Sequence, residues 1–148
     1  FGDLSVGDVV LIKVSSGQYL NVVSGVVKLS STEFHDESML WEIEKHTKTG
    51  NIQFQNMVSG NYLKAQDDDS VAVSAITGSG YAAEWKQGGE FGYCPHDYCR
   101  KYVRIMSDKQ GKCLRRSGNS VELGDCDSYT CLTWCEFTFE RMNNDGSD

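Results

Sequence analysis

Two groups of side chains in the last third of the chain have the types that molecular recognition needs. Asp108, Asp125, Asp127 and Tyr129 combine carboxylates with an aromatic ring. A ring covers the apolar side of a pyranose and carboxylates accept hydrogen bonds from its hydroxyls, so this set reads as a sugar site for a glycan or glycoprotein. The second group is the segment Tyr93-Cys94-Pro95-His96-Asp97-Tyr98-Cys99. If Cys94 bridges Cys99, this loop is ordered before any partner arrives, and Tyr93, His96, Asp97 and Tyr98 become a surface for a protein receptor.

Catalytic and metal chemistry find less support. His35, His46 and His96 are the only histidines, and none lies in a nucleophile or metalloprotease motif. The expectation is a protein that is not an enzyme and has no catalytic residue. The runs Glu33-Phe34-His35-Asp36-Glu37 and Asp67-Asp68-Asp69 lack the spacing of a calcium loop and read as solvated acidic turns, so no metal and no cofactor is expected.

Charge narrows the partners further. The formal net charge is −7, which repels a phosphate backbone and excludes nucleic acid as an expected partner. Arg100, Lys101, Arg104, Lys109, Lys112, Arg115 and Arg116 cluster locally and read as a solvated basic face. The longest apolar run, Val9 to Val14, is interrupted by Lys13 and is far shorter than a membrane span. Six cysteines, all between Cys94 and Cys135 and without a CxxC pair, read as disulfides formed in an oxidising compartment. Together with a first residue, Phe1, typical of a processed chain, they predict a secreted or extracellular protein, or one in the lumen of the secretory pathway.

The elements that must position these groups recur. Ser16-Gly17-Gln18-Tyr19-Leu20 leads to Trp41, Ser59-Gly60-Asn61-Tyr62-Leu63 to Trp85, and Gln110-Gly111-Lys112-Cys113-Leu114 to Trp134. The glycine-to-tryptophan intervals are 24 (41−17), 25 (85−60) and 23 (134−111) residues. Repetition at this scale means one structural unit used three times. Within each unit, short β-rich runs alternate with turn residues, as in Tyr19-Leu20-Asn21-Val22-Val23, Ser24-Gly25, Val26-Val27-Lys28-Leu29. About four strands per unit and no amphipathic helix predict an all-β fold, a β-trefoil of three pseudo-symmetric repeats. Leu20, Leu63, Leu114 and all three tryptophans are expected in its core. The 148 residues accommodate one domain, taken as 1–142 with repeats near 7–47, 50–90 and 101–140, followed by a polar tail at 143–148.

The third repeat resembles one repeat of a ricin-B-type lectin, through Gly111-Lys112-Cys113-Leu114, Val121-Glu122-Leu123-Gly124-Asp125-Cys126 and Trp134. The first repeat, from Gly7-Asp8-Val9-Val10-Leu11 through Gly17-Gln18-Tyr19-Leu20 to Trp41, resembles MIR and fascin-type trefoils. In the lectin family the two cysteines of a repeat bridge, which implies Cys113–Cys126. Loop closure favours Cys94–Cys99. Cys131 and Cys135 would then pair across a turn, or else exchange partners with Cys94 and Cys99. The family's sugar pocket places an acid ahead of the Cys-Leu strand, which maps to Asp108, with Tyr129 as the aromatic and Asp127 or Asn119 as further hydrogen-bonding groups. The glutamine that the family carries two residues before its tryptophan is replaced by Met39, Ala83 and Leu132. The resemblance implies a secreted, non-enzymatic carbohydrate-binding module. The alternative is a protein-binding trefoil (protease inhibitor, toxin component or cytokine-like ligand) acting through the 93–99 loop.

Overall fold

The computed structural model describes residues 4–31, 36–75, 81–87, 102–126 and 132–142. Twelve strands run through them, with three short 3-10 turns and no α-helix. The strands are β1 (Val9–Val14), β2 (Tyr19–Val23), β3 (Val26–Ser30), β4 (Leu40–Lys45), β5 (Ile52–Asn56), β6 (Tyr62–Ala65), β7 (Val71–Ser74), β8 (Trp85–Gln87), β9 (Ile105–Ser107), β10 (Cys113–Ser117), β11 (Ser120–Gly124) and β12 (Phe137–Arg141).

Six of them form a closed antiparallel ring. β1 pairs with β4, β4 with β5, β5 with β8, β8 with β9, and β12 with β1. The ring closes where Val103 and Phe137 exchange backbone hydrogen bonds of 2.9 and 3.0 Å. Closure leaves no free sheet edge in the barrel. The remaining strands form the hairpins β2–β3, β6–β7 and β10–β11, which meet as a cap. The Leu29 amide donates to the Asn119 carbonyl (2.6 Å), the Ser120 hydroxyl to the Val27 carbonyl (2.7 Å), and the Leu123 amide to the Asp69 carbonyl (2.8 Å). Barrel plus three-hairpin cap is the expected β-trefoil.

The repeated glycine has a local cause. After β1, β5 and β9 the chain turns sharply, and the amides of Gly17, Gly60 and Gly111 donate to the carbonyls of Val14, Asn56 and Ser107 at 2.9, 2.9 and 2.8 Å. These glycines have φ of 92°, 73° and 67°, a region open to glycine and costly for other residues. In the β2–β3 hairpin the two central residues, Ser24 and Gly25, are both left-handed (φ 51° and 79°), the twist that suits a two-residue connection.

The core holds Leu20, Leu63, Leu114, Trp41 and Trp85, all fully buried as expected. The two indole N–H groups donate to the carbonyls of Leu20 (3.2 Å) and Leu63 (3.0 Å). Trp134 departs from the expectation, being 40% exposed. The reason is register. Trp41 pairs with Asn56 and Trp85 with Ser107, and the residue facing the matching position, Val14, is Phe137. Phe137 therefore fills the third aromatic socket, fully buried, while Trp134 falls three residues earlier in the 3-10 turn Leu132–Cys135. The tyrosines confirm this alignment. Tyr62 donates to Glu44 (3.0 Å) and Tyr19 to Glu140 (3.4 Å), so Glu140 matches Glu44 as Phe137 matches Trp41.

The basic cluster differs from expectation in part, and the acidic turn, though exposed as expected, supplies it with partners. Lys109 pairs with Asp67 (3.0 Å), Lys112 with Asp69 (2.8 Å) and Lys86 with Asp108 (3.1 Å). The Asp67-Asp68-Asp69 turn of the second repeat stays largely in solvent, with Asp67 84% exposed, yet its first and last carboxylates reach across to the β9–β10 turn of the third. Arg104 is 3% exposed and donates to the Cys126 carbonyl (2.8 Å), so it too is turned inward. Arg100 and Lys101 lie outside the described residues.

Candidate functional site

The third repeat is built around a disulfide. Cys113 opens β10, Cys126 follows β11, and their bond ties the open end of the hairpin, with the α-carbons 5.2 Å apart. This is the bridge that the lectin resemblance implied. Cys113 is fully buried and packs with Cys135, Cys126 and Met106. Cys135 is disulfide-bonded as well, to a partner outside the described residues. Cys94, Cys99 and Cys131 also lie outside them.

Asp108 and Asp125 stand at this stapled end. Asp108 begins the turn into β10, its amide donating to the Glu84 carbonyl (3.0 Å) and its carboxylate, 21% exposed, pairing with Lys86. Asp125 is exposed directly after β11, and its charge helps hold the Lys112 ammonium above the usual lysine range, an effect led by the hydrogen bond to Asp69. Asn119 is not with them. It lies at the tip of the β10–β11 hairpin, and the length of β10 sets it roughly 13 Å from the stapled end. Asp127 and Tyr129, and the loop residues Tyr93, His96, Asp97 and Tyr98, lie outside the described residues.

Trp134 is the surface aromatic that sequence reasoning assigned to the interior. Its ring lies 4.4 Å from the guanidinium carbon of Arg116, on β10. A signal for its true place was present. Glu84-Trp85 and Glu136-Phe137 share an acid before the aromatic, and Trp41-x-Ile43 aligns with Phe137-x-Phe139.

Those two glutamates are both buried, and they differ in their partners. Glu84, 3% exposed, accepts from the Thr49 hydroxyl (2.8 Å) and the Asn51 amide (3.1 Å) on Oε1, with His46 Nε2 3.8 Å from Oε2. Glu136, 2% exposed, has no hydrogen-bond partner for Oε2, and burial pushes its carboxyl above the ordinary glutamate range. Folding is therefore favoured while Glu136 is protonated, and this contribution is lost as pH rises through its folded-state pKa. Glu136→Gln should stabilise the protein at neutral pH by about 1 kcal/mol. The gain should shrink as pH falls into the ordinary glutamate range, where the native carboxyl takes up its own proton. Thermal melts of both proteins across pH check this, and parallel pH profiles would contradict it.

Among the described residues no group of three or more His, Cys, Asp or Glu could hold a metal ion, and no helix is long and apolar enough to cross a membrane.

No protein-family model and no curated protein matches the sequence. Solved structures match in fold. A Polyporus squamosus lectin bound to Neu5Acα2-6Galβ1-4GlcNAc superposes with TM-score 0.72 and 16% identity, over 94% of this chain and 50% of the lectin. The GlcNAcα1-4Gal-releasing endo-β-galactosidase of Clostridium perfringens does so with TM-score 0.73 and 14% identity, over 92% of this chain and 33% of that protein. The designed threefold-symmetric ThreeFoil gives TM-score 0.70 and 14% identity, over 90% of this chain and 99% of its own. The cytolethal distending toxin of Haemophilus ducreyi and SeviL bound to asialo-GM1 saccharide match as well. The chain spans about a third of the endo-β-galactosidase and half of the Polyporus lectin. At these identities the likeness establishes architecture alone. The protein is a β-trefoil, the fold that ricin-B-type lectins use.

Proposed function

We propose that the protein is a non-enzymatic carbohydrate-binding module working outside the cell, with its sugar site on the third repeat. The observation that carries this reading is the Cys113–Cys126 disulfide, which fixes the end of the β10–β11 hairpin next to Asp125, with Asp108 opening the turn that leads into β10. Asp127 follows that disulfide directly in the chain, and Tyr129 two residues later. Carboxylates and an aromatic ring are the groups that suit a pyranose, whose hydroxyls donate while its apolar face stacks. The disulfide supports an oxidising compartment. The fold supports the reading by its likeness to lectins solved with saccharides.

A glycan array probed with the whole chain tests it, with calcium and with EDTA. A defined set of glycans is expected to bind, and Tyr129→Ala and Asp108→Asn should each weaken binding by about tenfold or more. A blank array for the unaltered chain under both conditions would overturn the proposal.

A further inference from the structure

Arg116 and Trp134 are used neither by the barrel nor by the sugar patch just described. In the other repeats the position of Trp134, three residues before the buried aromatic, is held by Ser38 and Ala82. The position of Arg116, two residues after the core leucine, is held by Val22 and Ala65. The third repeat thus substitutes an indole and a cation for small or apolar residues, and the two substitutions touch, 4.4 Å from ring centroid to guanidinium carbon.

Arg116 is incompletely used. Its Nε is buried without a hydrogen-bond partner, and among the described residues no carboxylate lies within ion-pair distance of it. In a chain of net charge −7, the neighbouring cations Lys109 and Lys112 have both found acids. With Nε buried, the terminal amino groups of a guanidinium lying against a ring remain to meet a carboxylate end-on, an arrangement that grips it at two points. The exposed part of the indole supplies an apolar surface for a pyranose.

We infer that Arg116 and Trp134 form a subsite for one carboxylate-bearing sugar residue, an inference that rests on the carbohydrate-binding reading above. The overall negative charge repels a long polyanion. A single acidic residue at the end of a glycan meets one guanidinium without that penalty.

The test uses the whole chain and three matched probes: an oligosaccharide ending in a carboxylate sugar, its methyl ester and its neutral parent. Trp41 and Trp85 are fully buried, so tryptophan emission accessible to acrylamide reports Trp134. The acid should protect that emission and bind about tenfold more tightly than the ester. Arg116→Gln should erase the difference, Arg116→Lys should keep only part of it, and Trp134→Ala should weaken the acid, the ester and the parent alike. Heparin should give no protection.

If acid and ester bind equally, or the preference survives Arg116→Gln, the subsite is wrong while carbohydrate binding stands. If none of the probes binds and the array is blank, both proposals fall. Protection by carboxylate-bearing peptides but not by sugars would also overturn the subsite. Should Arg116→Gln fail to fold, the acid–ester comparison on the unaltered chain and on Arg116→Lys decides.

Discussion

Trp85→Ala should destabilise the protein by about 3–5 kcal/mol, whereas Trp134→Ala should cost less than about 1 kcal/mol. Trp85 is fully enclosed, and its N–H satisfies the Leu63 carbonyl. Truncation would leave a large cavity in the ring and an acceptor without its donor. Trp134, 40% exposed, lies at the surface in a 3-10 turn, and its truncation removes the contact with Arg116 and opens no enclosed cavity in the barrel. Urea or thermal unfolding of the two variants separates them, since about 1 kcal/mol moves the melting temperature of a protein this size by roughly 2–4 °C. Equal losses would mean that Trp134, not Phe137, closes the third repeat.

Cys113→Ala with Cys126→Ala should cost about 3 kcal/mol. The two cysteines are 13 residues apart, and a loop of that length loses about this much closure entropy when it is no longer crosslinked. The loss should be local first. Amides of β10 and β11 should exchange faster, while those of β1, β4 and β5 keep more of their protection until the whole barrel opens. Chemical denaturation and hydrogen exchange of the double variant measure both quantities. A loss near zero with unchanged exchange would show that the hairpin holds itself together without the bond.

Much of the architecture was legible because its causes are local. Gly17, Gly60 and Gly111 mark turns that demand left-handed backbone, and the leucine three residues later always points inward. Alternation in runs such as Trp41-Glu42-Ile43-Glu44 gave the strands, since one face of each is wet. The third repeat was misread where two aromatics compete for one socket. Trp134 and Phe137 are three residues apart, and chemistry favours the larger ring while register requires the smaller. Only the pairing of β12 with β1 decides between them.

The candidate site was legible in residue types more than in position. Asp125 directly follows β11 and Asp108 opens the turn before β10, while Asn119, only eleven residues (119−108) beyond Asp108 in sequence, is carried to the far tip of the hairpin by the length of β10. The docking of Lys109 and Lys112 onto Asp67 and Asp69 could not be read from spacing at all. It joins turns more than forty residues apart, and depends on how neighbouring repeats lean together (109−67 = 42 and 112−69 = 43).

A ring made from three interchangeable parts does not ask the same of each. The first two copies supply both the bulk and the N–H that the interior wants, through Trp41 and Trp85. The third supplies bulk alone, through Phe137. That economy releases one indole from structural duty, so chemical novelty can accumulate on the copy with the lightest obligations while its two siblings keep the scaffold sound.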